Sequence, residues 1–359
     1  PECGLKTFSL PFKSLDEGIN CHIFTSSPCV EMQEEIMIGR RVKFFWHPNI
    51  LPPLEGSDGI YKVSPTSSTR TVMTRNLKNN FMIKTDLDKR HFRFRRRLKG
   101  GSVIHSIEIS DDLRKAIKTD LGRFYAFLPE TIGVVLGNER LGSGVIFREM
   151  TPYPKCEGVR QLIPFFSLYS RDSFFSSDKP LLIQLIDNYT SGPIDTFLSI
   201  IGLIQDTWVH LVNERGILPE LHGQNALLEI DAGGFPKRIV QRDFQSVYSD
   251  KEVRNQRRLN QFQKHIVGTE DIISRSQQYS LVFDHFISKY LLDRMVRVFC
   301  EFFPQYPYEF VSNQIKFRFR SIKGNNLGIF PDTVYRFSKQ PMIDNEVALE
   351  DTGLKPLFR

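Results

Sequence analysis

The sequence is poor in cysteine and has none of the cysteine spacings that build zinc sites or disulfide frameworks. Its five cysteines are odd in number and widely separated, and no CxxC or Cys/His pattern joins them. No apolar run approaches the roughly 20 residues needed to span a bilayer. The N-terminal residues also lack the basic and then apolar layout of a signal peptide. We therefore expect a protein of the reducing cytoplasm that does not associate with membranes.

Repeats and low-complexity tracts are absent as well, so neither a solenoid nor a disordered chain is predicted. The 359 residues are 40% hydrophobic and 25% charged, which is the ordinary globular range and long enough for two domains. The 30 Phe and 11 Tyr predict a large buried core. A formal net charge of +7 favours an anionic partner such as a nucleotide, a polycarboxylate or nucleic acid. Because the chain begins at Pro1 and not Met, we also expect a piece of a longer polypeptide.

The first half of the chain has the pattern of an antiparallel sheet. Short β-branched and aromatic runs recur there, and turns rich in Ser, Thr and Asn separate them. These runs are Val42–Trp46, Tyr61–Val63, Arg70–Met73, Phe81–Thr85 and Gly144–Met150. A helix is predicted to start at Ser110, because an N-cap serine there precedes two acidic residues.

The second half changes to a helical pattern after a break at Pro152, Pro154 and Gly158. An apolar helix is predicted from Pro193 to the residue before Gly216, and another from about Tyr279 to Phe303. Two short strands, Ala226–Ile230 and Arg238–Asp243, are expected to form a hairpin between them. The predicted fold class is therefore α+β, with a mostly antiparallel sheet in residues 1–155 and a helix-rich part in residues 156–359.

The densest group of polar side chains is Glu220-Leu-His222-Gly-Gln224-Asn225, directly before an apolar strand. Loops at strand ends are where binding and catalytic residues are usually placed. Carboxylate and amide oxygens suit Mg²⁺, and a histidine can contact a negatively charged oxygen or carry a proton. The residues alone leave this group as a candidate site.

Arg242-Asp243-Phe244 ends the partner strand of the predicted hairpin, which would return Asp243 towards the Glu220–Asn225 loop. That position suits a metal-binding carboxylate. The alternative is a surface Arg/Asp pair that contributes roughly 0 to 1 kcal/mol to stability.

A third group combines the hydroxyls and guanidinium of Ser67–Thr71 with Lys84 and the basic run Arg95–Arg97. Arginine binds phosphate oxygens in bidentate fashion, so the group predicts a basic cradle for phosphates. The alternative interpretation of this group is a solvated polar strand whose charges prevent aggregation at a sheet edge.

Together the three groups resemble the IucA/IucC (aerobactin synthetase-like) family of siderophore synthetases, which work without a peptide-synthetase assembly line. The resemblance covers roughly residues 42–337. The motifs that carry it, in family order, are His47-Pro48, Ser68-Thr69-Arg70-Thr71, Lys84 with Arg96 twelve residues later, His222-Gly-Gln224-Asn225, and Arg242-Asp243-Phe244.

The resemblance implies an ATP-dependent ligase with a fingers-like part before residue 155 and a palm-like part after it. Such an enzyme adenylates a citrate-like carboxylate, releases pyrophosphate, and joins the acyl group to a polyamine or hydroxylated amine with release of AMP. A homodimer and a requirement for Mg²⁺ are implied too. No nucleic acid is expected as a partner.

The resemblance also implies roles for individual residues, which we expect to converge on one cleft. Lys84, Arg96 and His222 would be catalytic, with Arg96 and His222 binding the carboxylate. ATP would be bound by Ser68, Arg70, Thr71, Lys84, Gln224, Asn225 and Arg242. The metal would be held by Glu220, Asn225 and Asp243.

Two other functions are compatible with the sequence. His91–Arg97 alternates aromatic and basic residues, which is typical of platforms that stack single-stranded nucleic acid. The chain could also be a synthetase homologue that has lost activity, since a shared fold does not establish a shared function. Salt-dependent binding of single strands would favour the first alternative. ATP binding without turnover would favour the second.

Overall fold

The computed structural model describes residues 6–47, 56–68, 70–87, 90–91, 94–117, 120–172, 174–175, 177–262, 266–267, 274–322, 329–338 and 348–359, without the side chains of residues 90, 91, 94, 95, 120, 266 and 267. The chain divides into two compact units. Unit 1 contains Pro1–Ala116, Leu128–Lys155 and Asp243–Ser246. Unit 2 contains Ile117–Phe127, Cys156–Arg242 and Val247–Arg359.

The strands of the described residues are, in chain order, β1 (Phe8–Asp16), β2 (Cys21–Thr25), β3 (Met37–Ile38), β4 (Arg41–Phe45), β5 (Gly59–Pro65), β6 (Thr71–Thr74), β7 (Phe81–Thr85), β8 (Arg90–His91), β9 (Phe94–Arg95), β10 (Tyr125–Phe127), β11 (Glu130–Leu136), β12 (Ser143–Glu149), β13 (Arg160–Pro164), β14 (Ile217–Leu218), β15 (Ala226–Asp231), β16 (Pro236–Gln241), β17 (Tyr248–Asp250), β18 (Ile266–Val267), β19 (Tyr335–Phe337) and β20 (Leu349–Asp351).

The helices are α1 (Val30–Ile36), α2 (Gly100–Ala116), α3 (Phe165–Tyr169), α4 (Leu181–Asp187), α5 (Pro193–Arg215), α6 (Lys251–Gln256), α7 (Arg275–Ser280), α8 (Asp293–Phe302) and α9 (Tyr308–Ile322). A 3₁₀ turn covers Asp120–Arg123, and a π-helical segment, Leu281–Leu292, joins α7 to α8. Among the helices in the described ranges, none is long and apolar enough to cross a membrane.

Unit 1 is built on a nine-stranded sheet in the order β2-β11-β12-β7-β6-β5-β1-β4-β3. Each of its strand pairs is antiparallel. Phe81 and Phe147 meet edge to face, and Phe147 packs in the same way on Phe45, within a core of buried apolar side chains. Helix α2 packs on β2, β11 and β12, where Val103 joins a smaller apolar cluster. The apolar faces of short strands explain this part of the fold.

Helix α2 begins ten residues earlier than the sequence predicted. Its first turn needs no serine cap, because the amides of Gly100 and Gly101 donate to the carbonyls of Gly142 and Arg140. Ser110 lies inside the helix and is buried, and its hydroxyl accepts a hydrogen bond from the amide of Glu130 at 3.1 Å. The predicted N-cap is therefore wrong, because the serine bonds to a neighbouring strand instead of to its own helix.

Unit 2 is organised around α5, whose buried Trp208 packs against Phe283 and Phe319. The predicted span of this helix is confirmed from Pro193 to Arg215. Gly216 ends it in the left-handed conformation, with φ at 57°, which glycine adopts without strain. This unit also contains two small sheets, with the strand orders β10-β16-β15-β13 and β14-β17-β18. The predicted α+β class, with its large antiparallel sheet and its helix-rich part, is confirmed.

Candidate functional site

The predicted site residues Lys84 and Asp243 are bound to each other in unit 1. The ammonium of Lys84 donates to Oδ1 of Asp243, although the two residues are 159 positions apart. The Lys84 side chain is only 2% exposed, whereas that of Asp243 is 29% exposed. The ion pair therefore has a buried cation and a carboxylate that is open on one side.

Strand register places Lys84 beside a second buried cation, Arg148. Lys84 on β7 lies opposite Ile146 on β12, and Arg148 lies opposite Met82, two residues before Lys84. Because side chains two residues apart point to the same face of a strand, Lys84 and Arg148 share a face. Arg148 is 3% exposed. Two full charges on one buried face require counter-charges nearby.

Glu130 supplies one of these counter-charges and also contacts the segment that contains Asp243. Its Oε1 accepts from Nε of Arg148 at 2.9 Å and from Nη2 of the same guanidinium. Its Oε2 accepts from the amide of Phe244 at 3.4 Å. The Glu130 side chain is fully buried. One carboxylate thus bonds both to the second cation and to the residue that follows Asp243.

Arg70 completes the group from the segment before β6. Its Nη1 donates to the carbonyl of Arg96 at 2.6 Å, and its Nη2 donates to the side chain of Gln245 at 2.6 Å. We call Arg70, Lys84, Glu130, Arg148, Asp243 and Gln245 the Asp243 cluster. Three cations and two carboxylates give it a net positive charge. Such a site favours an anionic ligand.

Arg96 lies next to this cluster and has a buried nitrogen without a partner. Its Nε makes no hydrogen bond within the part of the chain that the structure describes. Buried donors are normally satisfied, so an orphaned guanidinium nitrogen fits a site that takes up a phosphate or carboxylate oxygen. Ser68 and Thr71 lie on the same segment as Arg70: the Ser68 amide donates to Thr66, and Thr71 lies opposite Lys84.

The backbone at Asp243 is held in an unusual conformation. Its φ is 71°, in the left-handed region that a residue with a side chain rarely adopts. Such conformations persist where the surroundings fix them, and they are concentrated at functional sites. Here the Lys84 ion pair holds the side chain of the strained residue, and the Phe244–Glu130 hydrogen bond holds the residue that follows it.

The charges of the cluster act strongly on one another. Burial lowers the pKa of Lys84, and the neighbouring carboxylate of Asp243 opposes this shift. Burial alone would raise the pKa of Asp243, but Lys84 and Arg148 hold it well below its usual range. Asp243 therefore remains a carboxylate at neutral pH.

The other predicted residues surround one loop of unit 2, between β14 and β15. The loop turns at His222, whose carbonyl accepts from the amides of Asn225 and Ala226, both at 3.0 Å. Arg242 holds it from the neighbouring strand: its amide donates to the Asn225 carbonyl at 2.9 Å, and its Nε donates to the Gln224 carbonyl at 3.0 Å. The predicted hairpin thus brings Arg242 to this loop.

His222 has a defined tautomer in this loop. Its Nδ1 accepts from the amide of Gln224 at 3.2 Å, which leaves the proton of the neutral ring on Nε2. Nε2 lies 3.9 Å from Oε1 of Glu220. With 23% of the side chain exposed, the N–H can donate to an oxyanion. The Phe286 ring, from the π-helical segment, lies 6.2 Å from the His222 ring.

Gly223 is required by a close contact within the same loop. A Cβ built at this position would lie 2.2 Å from the hydroxyl of Tyr169. The glycine of the HGQN motif therefore allows the loop to pack against α3, and the motif sequence follows from this geometry as well as from chemistry.

Of the predicted site residues, the structure brings Arg70, Lys84 and Asp243 into one cluster of unit 1, with Arg96 and Thr71 adjoining it. Glu220, His222, Gln224, Asn225 and Arg242 meet at one loop of unit 2. That the two groups form a single cleft stays a prediction.

Three members of the Asp243 cluster were missed from the sequence. Glu130 and Arg148 each stand as a charged residue within an otherwise apolar strand, in ETIGVVL and SGVIFRE. That pattern was a usable signal, because buried charges are rarely tolerated without a partner. Gln245 follows Phe244 directly, and nothing in its local sequence marks it.

Two further features do not contribute to this cluster. Phe92 and Arg93, on which the nucleic-acid alternative depends, lie outside the described residues. A cavity of about 310 Å³ in unit 1 is lined by residues that include Cys29, Glu31 and Glu149. None of the predicted site residues lines that cavity.

Comparison with known proteins agrees with the motifs. Residues 49–170 match the model of the family described as IucA / IucC family. Residues 198–289 match a second family model, described as ferric iron reductase FhuF-like transporter. No curated protein matches the chain.

Several solved structures are similar to the chain. The petrobactin biosynthesis protein AsbB from Bacillus anthracis str. Sterne has a TM-score of 0.73 at 16% identity, over 98% of this chain and 68% of that one. Aerobactin synthetase IucC from hypervirulent Klebsiella pneumoniae has a TM-score of 0.70 at 16% identity, over 94% and 68%. ATP-bound aerobactin synthetase IucA from the same source has a TM-score of 0.58 at 15% identity, over 88% and 61%.

At these identities the structural likeness shows the fold, and the family model covers the segment from β5 to α3 that carries most of the Asp243 cluster. The chain also spans only 61% of the length of the ATP-bound synthetase. The resemblance predicted from the motifs is confirmed: residues 49–170 match the IucA/IucC family model, and the chain has the fold of the solved aerobactin synthetase and petrobactin biosynthesis structures.

Proposed function

We propose that this protein is an ATP-dependent synthetase of siderophore biosynthesis that adenylates a citrate-like carboxylate and condenses it with an amine or hydroxyl. The observation that carries the proposal is the Asp243 cluster. It contains two buried cations of one sheet, Lys84 and Arg148, together with Arg70 from the segment before β6. Arg96 lies beside it, and its buried Nε has no partner among the described residues. The three cations of the cluster exceed its two carboxylates by one positive charge, which favours an anionic ligand.

The reaction explains why cations are needed. A carboxylate oxygen attacks the α-phosphorus of ATP, a P–O bond forms, and pyrophosphate leaves. Negative charge accumulates on the phosphorus oxygens, and cations fixed in advance in a water-poor site stabilise it. We assign this role to Lys84, Arg70 and Arg96, with Ser68 and Thr71 as hydroxyl donors beside them. The ATP-bound state of the similar aerobactin synthetase supports ATP as the nucleotide.

In the second step the amine or hydroxyl attacks the acyl carbon. The new C–N or C–O bond displaces AMP, and the nucleophile loses a proton. His222 is suited to contact the acyl carboxylate or the adenylate, because its Nε2–H is available to an oxyanion. Gln224, Asn225 and Arg242 belong to the same loop and are proposed to contact ATP.

Mg²⁺ is proposed to be held by Glu220, Asn225 and Asp243. These residues offer hard oxygen donors, and Mg²⁺ is usually bound by one or two carboxylates together with substrate phosphates. The described residues contain no group of three or more His, Cys, Asp or Glu that could hold a metal. When bound, the cation neutralises triphosphate charge. The homodimer and the cytoplasmic location stay predictions.

The test is a panel of carboxylates in ATP/pyrophosphate exchange, with citrate first, followed by trapping of the adenylate with hydroxylamine. Exchange that depends on one acid establishes the reaction class. Lys84→Met should abolish exchange, whereas Lys62→Met, which changes a largely exposed lysine on β5 of the same sheet, should leave it within about twofold.

If no acid supports exchange but ATP still binds, the chain is an inactive homologue and the catalytic proposal is wrong. No observation on the described residues favours the nucleic-acid alternative. Binding of single strands with a steep salt dependence would nevertheless revive it.

A further inference from the structure

We propose that Glu130 and Arg148 are positioning residues of the nucleotide site: Glu130 fixes the turn that contains Asp243, and Arg148 is the cation that remains with Asp243 when Lys84 binds a phosphate oxygen. The inference rests on the proposed function in one respect, the identity of the anion as a phosphate.

Lys84, Asp243, Glu130 and Arg148 form a ring in which each residue lies next to the following one. Lys84 and Arg148 share a face of neighbouring strands, and Lys84 donates to Asp243. Asp243 is followed by Phe244, whose amide donates to Glu130 Oε2. The other oxygen of Glu130 accepts twice from Arg148. Glu130 therefore bonds both to Arg148 and to the residue that follows Asp243.

The charges show why a second cation is needed. Lys84 has three N–H donors but one positive charge, and its described partner is Asp243. If Lys84 turns to a phosphate oxygen, its bond to Asp243 weakens while the carboxylate stays partly buried. Arg148 lies near enough to act on the charge of Asp243. It therefore stabilises the carboxylate during this exchange of partners.

Glu130 does more than neutralise Arg148. A carboxylate that only balanced a buried arginine would not need a bond to the backbone of a distant segment. By accepting from the Phe244 amide, Glu130 holds the residue after Asp243, which itself has the strained φ of 71°. A left-handed aspartate persists only when its surroundings fix it. The pair therefore determines where the Asp243 carboxylate points.

The experiment separates positioning from simple structural support. Variants Arg148→Met, Arg148→Lys, Glu130→Gln and the double variant Glu130→Gln/Arg148→Met are compared with wild type. Arg41→Met is the matched control, since it removes one arginine charge from an exposed side chain of the same sheet. Affinities for ATP, AMP and inorganic tripolyphosphate are measured by calorimetry, and stabilities by urea unfolding.

Arg148→Met and Glu130→Gln each leave one partner of the ion pair unpaired, so each should lower the stability of the protein. The double variant should regain most of the lost stability, because removing both charges of a buried pair is often close to neutral. ATP and tripolyphosphate affinity should fall about tenfold or more in Arg148→Met, Glu130→Gln and the double variant, the scale of a lost charged hydrogen bond. AMP affinity should change much less. Arg148→Lys should recover part of the affinity.

A stable double variant that binds ATP within about twofold of wild type would overturn the inference, because Glu130 and Arg148 would then be structural only. An equal loss of AMP and ATP affinity would overturn it too. If wild type binds tripolyphosphate but supports no exchange, the proposed function fails, while the variants still test the positioning role.

Discussion

Lys84 is the residue on which most of the site depends, because it is a buried cation whose described partner is a partly exposed carboxylate. A buried ammonium without a counter-charge loses its proton or destabilises the fold. Asp243 prevents both outcomes, and its left-handed backbone shows that the surrounding structure fixes its position. The same two residues are proposed to contact ATP and Mg²⁺, so ligand binding must compete with an existing ion pair.

We predict that Asp243→Asn lowers adenylation by about a hundredfold or more, the effect expected when one electrostatic element of a site is lost. The variant should also lose about 1–3 kcal/mol of stability, because Lys84 is left without its carboxylate. Removing Asp243 lowers the pKa of Lys84 further, so the loss should be largest at low pH and shrink as the pH rises and Lys84 gives up its proton.

Urea unfolding between pH 6 and 9, in steps of about one unit, checks this trend. Asp16→Asn, an exposed acid of the same unit, is the control. Normal adenylation with the Mg²⁺ requirement intact would remove Asp243 from the proposed metal site.

His285, in the π-helical segment, should make the protein sensitive to acid. Burial, with the nearby charges of Lys289 and Arg336, lowers its pKa from the ordinary 6.5 to about 4. Between these values the unfolded chain binds a proton that the folded His285 does not, so the free energy of unfolding falls as the pH drops from 6.5 towards 4. The loss should reach about 3 kcal/mol.

His285→Gln should flatten this pH dependence, whereas His22→Gln, on β2 of unit 1, should leave it unchanged. Urea unfolding at several pH values between the two pKa values provides the measurement. A wild-type stability that does not vary over this range would contradict the assignment.

At the scale of elements, the HGQN loop is shaped by its contact with α3 as much as by its polar side chains. Gly223 lies against Tyr169, whose hydroxyl also donates to the carbonyl of Tyr290 in the π-helical segment at 3.2 Å. The loop is therefore packed between two helical segments, and its geometry depends on a residue type with no side chain. A sequence motif can thus contain a packing requirement beside its chemical one.

We predict that Gly223→Ala destabilises the protein by about 1–3 kcal/mol, as overpacking usually does, and weakens ATP binding through the displaced loop. Tyr169→Phe should cost about 1 kcal/mol for the lost hydrogen bond. The double variant should recover most of the stability of Gly223→Ala, because the atom 2.2 Å from the new Cβ is gone and the nearest remaining ring carbon lies at 3.2 Å. If thermal unfolding shows that the stability losses of the two single variants simply add up in the double variant, the contact with the Tyr169 hydroxyl is not the cause of the loss in Gly223→Ala.

At the scale of the whole molecule, the two units are assembled from interleaved segments of the chain. Residues 117–127 belong with unit 2, and residues 243–246 belong with unit 1. The cations of the Asp243 cluster come from strands of unit 1, and Asp243 reaches them on a short segment that is inserted from the second half of the chain. Assembly of this cluster therefore requires that distant parts of the sequence fold together.

A ligand that binds only the folded protein must stabilise it, so Mg²⁺-ATP at about a hundred times its dissociation constant should add roughly 2.7 kcal/mol to the free energy of unfolding. Lys84→Met should remove this gain, and Arg41→Met should keep it. Thermal unfolding with and without the nucleotide measures both. A gain that survives in Lys84→Met would place the nucleotide away from the Asp243 cluster.

The α+β class, the first and last residues of α5 and the strands from β4 to β7 could be predicted from the sequence, because they depend on local periodicity, proline and glycine. The ordered motifs, whose residue types suit anions, also predicted the family whose model matches residues 49–170. The start of α2 could not be predicted, since its first amides are satisfied by carbonyls some 40 residues away in the chain. The contact of Lys84 with Asp243, and that of Glu130 with both Arg148 and Phe244, could not be predicted. They depend on strand register and on a residue 114 positions beyond Glu130, which no local pattern specifies.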